Sequence, residues 1–326
     1  MKRFPKAQRR KIQRLQAGAL RGDLVDAYNL ALELEQVGDD AQAERWHRVA
    51  ASAGDPQALN NLGAFLHEAG REQEALTFFV AAAEAGDVFG ARNAAVLYEK
   101  RGEDEAAERW FRAAASGGDH LGGAWLAHLL VRTERYEEAR PLLVAAAEGG
   151  HAISASVLAD RHECAGDDDE AEYWYRVAVA CGDLESRNDL ALLLGRTGRS
   201  PEALVMWVAG ADSGHAYCAY NLAIELEEAG DLREAKRRYR QALTAWEADA
   251  ENLDGQSAYC AAVACDELDD HRGALAWYRR AAALGDPEAA DELRQRALAN
   301  SEPRQRTSGH DRNRRGPAQR RGSTRP

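Results

Sequence analysis

Apolar residues recur along this chain in pairs of short helical segments. Between Asp55 and Gly70, the residues Leu59, Leu62, Phe65 and Leu66 fall three and four apart, the spacing of one helix face. Asp55 can accept the free amides of a first turn, Pro56 fits that turn, and Gly70 suits a left-handed stop. After Gly70 a second face follows, with Ala75, Leu76, Phe79, Ala82 and Ala83, and ends at Gly86. Two helices of roughly 13 residues, joined by short turns, predict a helical hairpin.

The hairpin repeats. Gly22, Gly54, Gly86, Gly118, Gly150, Gly182 and Gly214 each precede Asp or His and stand 32 residues apart. Ala43, Ala75, Ala107, Ala139, Ala171, Ala203 and Ala235 keep the same period. Ala31, Gly63, Ala95, Ala127, Ala159, Ala191, Ala223 and Ala262 share one position of the first helix, so helix axes can approach closely. Four residues after the Ala43 position stands a larger ring or aliphatic: His47, Phe79, Phe111, Leu143, Tyr175, Trp207, Tyr239 and Tyr278. Small against large predicts a jigsaw core. A single hairpin cannot bury its apolar face alone, whereas a stack can.

Leu62-Gly63, Leu66, Ala75, Phe79 and Ala82 resemble the tetratricopeptide signature in identity and spacing. The run from Ala82 to Asp87 is similar to the junction between Sel1-like repeats. The tetratricopeptide repeat is usually two residues longer, and Sel1-like repeats carry a longer turn inside the hairpin, absent here. The resemblance spans residues 23–299. It implies an all-α, right-handed α-solenoid of about eight hairpins closed by a C-terminal capping helix. It also implies a scaffold or adaptor that binds other proteins and is not an enzyme.

The period breaks once: Ala274 follows Ala235 after 39 residues, which lengthens the last junction near 246–257. Seven extra residues are close to two helical turns, so the second helix of the seventh repeat is expected to run two turns longer and to end at Asp254-Gly255. This is either a tolerated surface insertion or a projecting end that meets a partner. Gly285-Asp286-Pro287 and a polar stretch over 288–299 predict a terminal capping helix. Residues 1–22 form a basic segment whose Ile12, Leu15 and Leu20 suit a capping helix at the other end. Residues 300–326, rich in Arg, Gly, Ser and Pro, are expected to be disordered.

Charge adds an asymmetry. The net charge is −12, yet residues 1–22 carry eight basic and no acidic residues, and 301–326 carry eight Arg against Glu302 and Asp311. Such ends can bind nucleic acid or an anionic membrane, or fold back on this chain or on another copy. The acidic stretch between them argues against the first two. The five cysteines, Cys164, Cys181, Cys218, Cys260 and Cys265, form no CxxC pair. With no apolar run of membrane-spanning length and no secretory leader pattern, the expected compartment is the cytoplasm.

Candidate chemistry is sparse. No Walker loop, GxSxG elbow or HExxH is present, and no cofactor is implied. His162-Glu163-Cys164 beside Asp167-Asp168-Asp169-Glu170 suggests a metal, but His162 and Cys164 would point apart on a helix. Acidic residues at a helix start favour the helix dipole, the simpler explanation.

The resemblance also points to a partner surface, because first helices line the concave face of tetratricopeptide superhelices. One recurrent first-helix position holds Asn29, Asn61, Asn93, Trp125, Val157, Asp189, Asn221 and Cys260. Some family members use Asn here to hold an extended peptide backbone; Asn29, Asn61, Asn93 and Asn221 match, and the other four depart. These amides either hold a peptide or bond neighbouring helices within the stack. In the middle repeats Trp125 and Val157, with Leu121 and Ile153 one turn earlier and Phe89 in the third repeat, make an apolar centre bordered by Arg92, His128 and Asp160. Such a centre is either a binding patch or packing between repeats. The Lys, Arg and Asn cluster by which some tetratricopeptide proteins grip a C-terminal carboxylate is not found at matching positions.

Overall fold

The structure, a computed structural model, describes residues 6–301. All regular elements among them are helices. The segment beyond 301, expected to be disordered, lies outside the described residues. The chain divides into two compact units that meet in sequence at Gly149 and Gly150.

The first unit begins with α1 (Lys6–Ala19). Four hairpins follow: α2 (Leu24–Gln36) with α3 (Asp40–Ala51), α4 (Pro56–Glu68) with α5 (Glu72–Glu84), α6 (Val88–Lys100) with α7 (Asp104–Ser116), and α8 (His120–Arg132) with α9 (Tyr136–Glu148). The second unit holds four more: α10 (Ala152–Ala165) with α11 (Asp168–Ala180), α12 (Leu184–Arg196) with α13 (Ser200–Asp212), α14 (Ala216–Glu228) with α15 (Leu232–Ala248), and α16 (Gly255–Glu267) with α17 (His271–Ala283). It closes with α18 (Pro287–Ser301). Within each unit a first helix packs on its own second helix and on the second helix of the hairpin before it.

The boundaries follow from backbone chemistry. Asp55, Asp87 and Asp119 accept the amide hydrogens of Ala58, Gly90 and Gly122 at the starts of α4, α6 and α8. At the end of α2, Gly38 adopts φ 69° and the Asp39 amide donates to Leu34 O at 2.9 Å. That is a left-handed stop, which glycine enters without strain. Two repeats make this turn without glycine, with Glu134 at φ 61° and Asp269 at φ 63°.

The shared small positions are buried, including Ala31, Ala95 and Ala127 in the first unit and Ala159, Ala191 and Ala223 in the second. Gly90 shows why size is limited where successive hairpins meet. A Cβ there would lie 2.7 Å from Ala82 Cβ and 3.2 Å from the backbone of Phe79 and Ala83. The large ring positions are also buried, and the polar rings reach a carboxylate on the first helix of the same hairpin. His47 pairs with Glu35, Tyr239 with Glu227 at 3.1 Å and Tyr278 with Asp266 at 3.2 Å. Tyr175 donates to Asp160 and Glu163 at 2.7 and 2.6 Å. Burial, then the nearby carboxylates, push the Tyr175 hydroxyl well above the usual tyrosine range.

The lengthened junction differs from expectation. α15 has 17 residues against 13 in α13 and α17, so it gains about one turn rather than two. A 3-10 turn, Ala250–Asn252, takes up more of the insertion. Asp254 does not end α15; it opens α16 by accepting the Ser257 amide at 2.7 Å. Trp246 stands one period after Gly214, in the place of the turn glycine, and without that glycine the helix continues.

Candidate partner-binding surface

In the first unit the first helices place one row of side chains on the surface. α6 presents Phe89, Arg92, Asn93 and Val96, and α8 presents Leu121, Trp125 and His128 at the corresponding positions. Phe89, Leu121 and Trp125 are 51, 48 and 43% exposed. Such exposure is uncommon for large apolar groups on adjacent elements, and it marks an interaction surface. Arg92 orders the row's edge. Its guanidinium lies 5.4 Å from the Phe89 ring centre, and Nη1 donates to the Asp119 carboxylate at 2.9 Å. The Trp125 and His128 rings lie 6.4 Å apart.

The amides divide into two kinds. Asn93 Nδ2 donates to Asn60 Oδ1 at 2.9 Å, a bond between successive hairpins. Asn221 does the same to Asn188 at 2.7 Å, and Asn188 Oδ1 also accepts the Trp207 indole N–H at 3.2 Å. Asn221 is only 6% exposed, so its amide joins hairpins of the second unit. Asn29 and Asn61 are half-buried on α2 and α4. In the second unit Ile153 is exposed and Val157 half-buried, both on α10, while Asp160 accepts from Tyr175.

Sequence reading did not reveal a cover at the other end of the second unit. Tyr217 on α14 occupies the repeat position of Phe89 and Leu121. Trp246, on the added turn of α15, lies 5.6 Å from the Tyr217 ring and 5.7 Å from Tyr220. Trp246 is 3% exposed, and the Tyr217 hydroxyl meets the Ser257 hydroxyl at 2.8 Å. The row that lies open in the third and fourth repeats is therefore covered by the chain itself in the seventh. The available signal was Trp246 breaking the glycine series.

A second missed pattern has twice the period. Arg71, Arg135 and Arg199 stand 64 residues apart, as do Glu44, Glu108 and Glu172, and Glu74, Glu138 and Glu202. Each Arg joins its two glutamates and so links the second helices of successive hairpins: Arg71 at 2.7 Å to both, Arg135 at 2.8 and 2.7 Å, Arg199 at 2.6 and 2.7 Å. The Arg71 and Arg48 guanidiniums hold the Glu44 carboxyl below its ordinary range.

The acidic run of the fifth repeat lies in the first turn of α11, and His162 Nδ1 sits 3.2 Å from Asp167 Oδ2. Among the described residues no three His, Cys, Asp or Glu side chains gather around a metal-sized site. Nor is any described helix long and apolar enough to cross a membrane.

The hairpin geometry recurs in solved proteins. No protein-family model and no curated protein matches the chain. A Sel1 repeat protein from Oxalobacter formigenes superposes with a TM-score of 0.67 at 18% identity, covering 90% of this chain and 95% of that one. A protective antigen of uropathogenic Escherichia coli with an SLR fold gives 0.66 at 22%, covering 88 and 67%. The apo form of the quorum sensor NprR from B. thuringiensis gives 0.52 at 14%, covering 85 and 87%. The fold is that of the Sel1-like and tetratricopeptide class of helical-repeat solenoids. Such solenoids are commonly protein-interaction scaffolds and typically carry no catalytic site.

Proposed function

We propose that this chain is an adaptor that binds a segment of another protein on the exposed first-helix row of its first unit. The observation that carries this reading is the trio Phe89, Leu121 and Trp125, each about half exposed on neighbouring helices, at positions the seventh repeat covers with Trp246. A partner side chain would remove those surfaces from water at about 25 cal/mol per Å². Arg92 and His128 border the row, and Asn29, Asn61 and Asn93 are the amides placed to meet a peptide backbone. Ile153 and Val157 give the second unit an apolar pair of its own. The five free thiols suit a cytoplasmic setting.

The test is a crosslinking pull-down from native lysate with the full chain and with Leu121→Asp/Trp125→Ala. Both changes lie on exposed positions, so circular dichroism and the melting curve should stay close to wild type. The reading expects partners to be lost from the variant. A folded variant that retains every partner overturns it.

A further inference from the structure

The reading of a protein-binding row leaves α1 unused. This helix carries Lys6, Arg9, Arg10, Lys11 and Arg14 and no acidic residue. One side of it is committed to the fold. Leu15, Gly18 and Ala19 are buried, and Leu15, Ala19 and Ile12 join Ala27, Leu30 and Ala31 of α2 in one apolar cluster. Helical spacing puts Lys6, Arg9, Arg10 and Arg14 on the opposite side, where all four are exposed. Lys6, Arg10 and Arg14 follow one another at four-residue steps, about 6 Å apart along the axis.

These cations differ from those of the repeats. Arg71, Arg135 and Arg199 each hold two carboxylates. On α1 only Lys11 has one, Glu33, and the outward four have no carboxylate partner among the described residues. The nearest acidic side chains are already engaged. Asp23 accepts the Val25 and Asp26 amides at the start of α2, and the Asp26 carboxylate fills the space beside Gly18. The acidic charge of the repeats acts only weakly beyond a screening length of about 8–10 Å in physiological salt, so the field at this face is set by its own four cations.

We propose that the outer face of α1 is a binding site for the phosphate backbone of nucleic acid. A linear array of unpaired cations on a packed helix suits a polyanion, and a duplex presents one charge per about 1.7 Å. A membrane fits less well, because an interfacial helix needs an apolar face to insert and that face of α1 lies against α2. No aromatic residue stands on α1, so the site reads charge and not sequence.

The test is fluorescence anisotropy of the full chain with a labelled 20-base-pair duplex at 50 and 200 mM salt, beside R9E/R10E/R14E and the milder R9Q/R10Q/R14Q. Four phosphate contacts give a log–log salt slope of roughly −3.6, or about a 100-fold loss over that range. The charge-reversed chain should bind at least tenfold more weakly at 50 mM and the neutral one in between, both with unchanged melting curves. Equal binding by all three chains overturns the proposal and moves the activity to the tail beyond 301. So does a wild type that binds phosphatidylserine vesicles but not the duplex.

Discussion

His151 and His215 stand where other repeats place a capping Asp, and each accepts a backbone amide on Nδ1, from Ser154 and Cys218 at 3.3 Å. A neutral imidazole can do this and a protonated one cannot. Burial lowers the His151 pKa below its ordinary value of 6.5. The neutral form is favoured in the folded chain. Its contribution is therefore present above pH 6.5 and is lost as pH falls through the lower folded value. His151→Asp keeps an acceptor at those pH values. The melting temperature of H151D should accordingly gain on wild type between pH 7 and pH 5, with a cap worth about 1 kcal/mol. Glu134 offers a second test at this scale. It holds φ 61° at a turn where most repeats use glycine, so Glu134→Gly should raise stability by roughly 1 kcal/mol, read from thermal or urea unfolding. The amides show where single-residue reading stops. Asn93 and Asn221 each have an Asn 33 residues earlier, Asn60 and Asn188, and bond to it, whereas the residue 33 before Asn61 is Tyr28. That pairing was present in the chain, but an amide looks the same in sequence whether its partner is solvent, a peptide or the next hairpin.

Among elements, the hairpins were legible because two independent demands agree: an apolar face every 3.6 residues, and a left-handed turn at fixed intervals. The 64-residue pattern was also present but hidden beneath the 32-residue one, since the glycine and alanine markers recur in every hairpin and the Arg–Glu sets only in alternate ones. Arg135→Gln should lower the melting temperature, and the difference should shrink as salt rises toward 1 M, because these groups lie near solvent. The Glu44 carboxyl, depressed chiefly by its Arg71 hydrogen bond, favours the folded chain above about pH 4.5, and that support is lost as pH falls through its lower folded value. The path of α15 was not legible. Helix propensity allowed two added turns, and the packing of Trp246 on Tyr217 and Tyr220 accompanies one. Trp246→Ala should destabilise the chain by about 3–5 kcal/mol and expose both tyrosine rings.

For the whole molecule, partner capture by the Leu121 and Trp125 row and phosphate binding by α1 rest on different residues and different physics. R9E/R10E/R14E should keep the pull-down partners, and L121D/W125A should keep duplex binding with its salt slope; a double variant should lose both additively. The sequence by itself determined the helical class, the repeat length, nearly every turn and the identity of the core positions. These follow from local rules of backbone geometry and from the need of each hairpin to bury one face against the next. It also named the residues of the exposed row. Tertiary structure alone decided which of them face solvent, which amides join hairpins, that Trp246 covers the seventh repeat, and that one side of α1 is committed to α2 while its cations stay unpaired. Those outcomes depend on contacts between hairpins, which a one-dimensional period ranks but does not resolve.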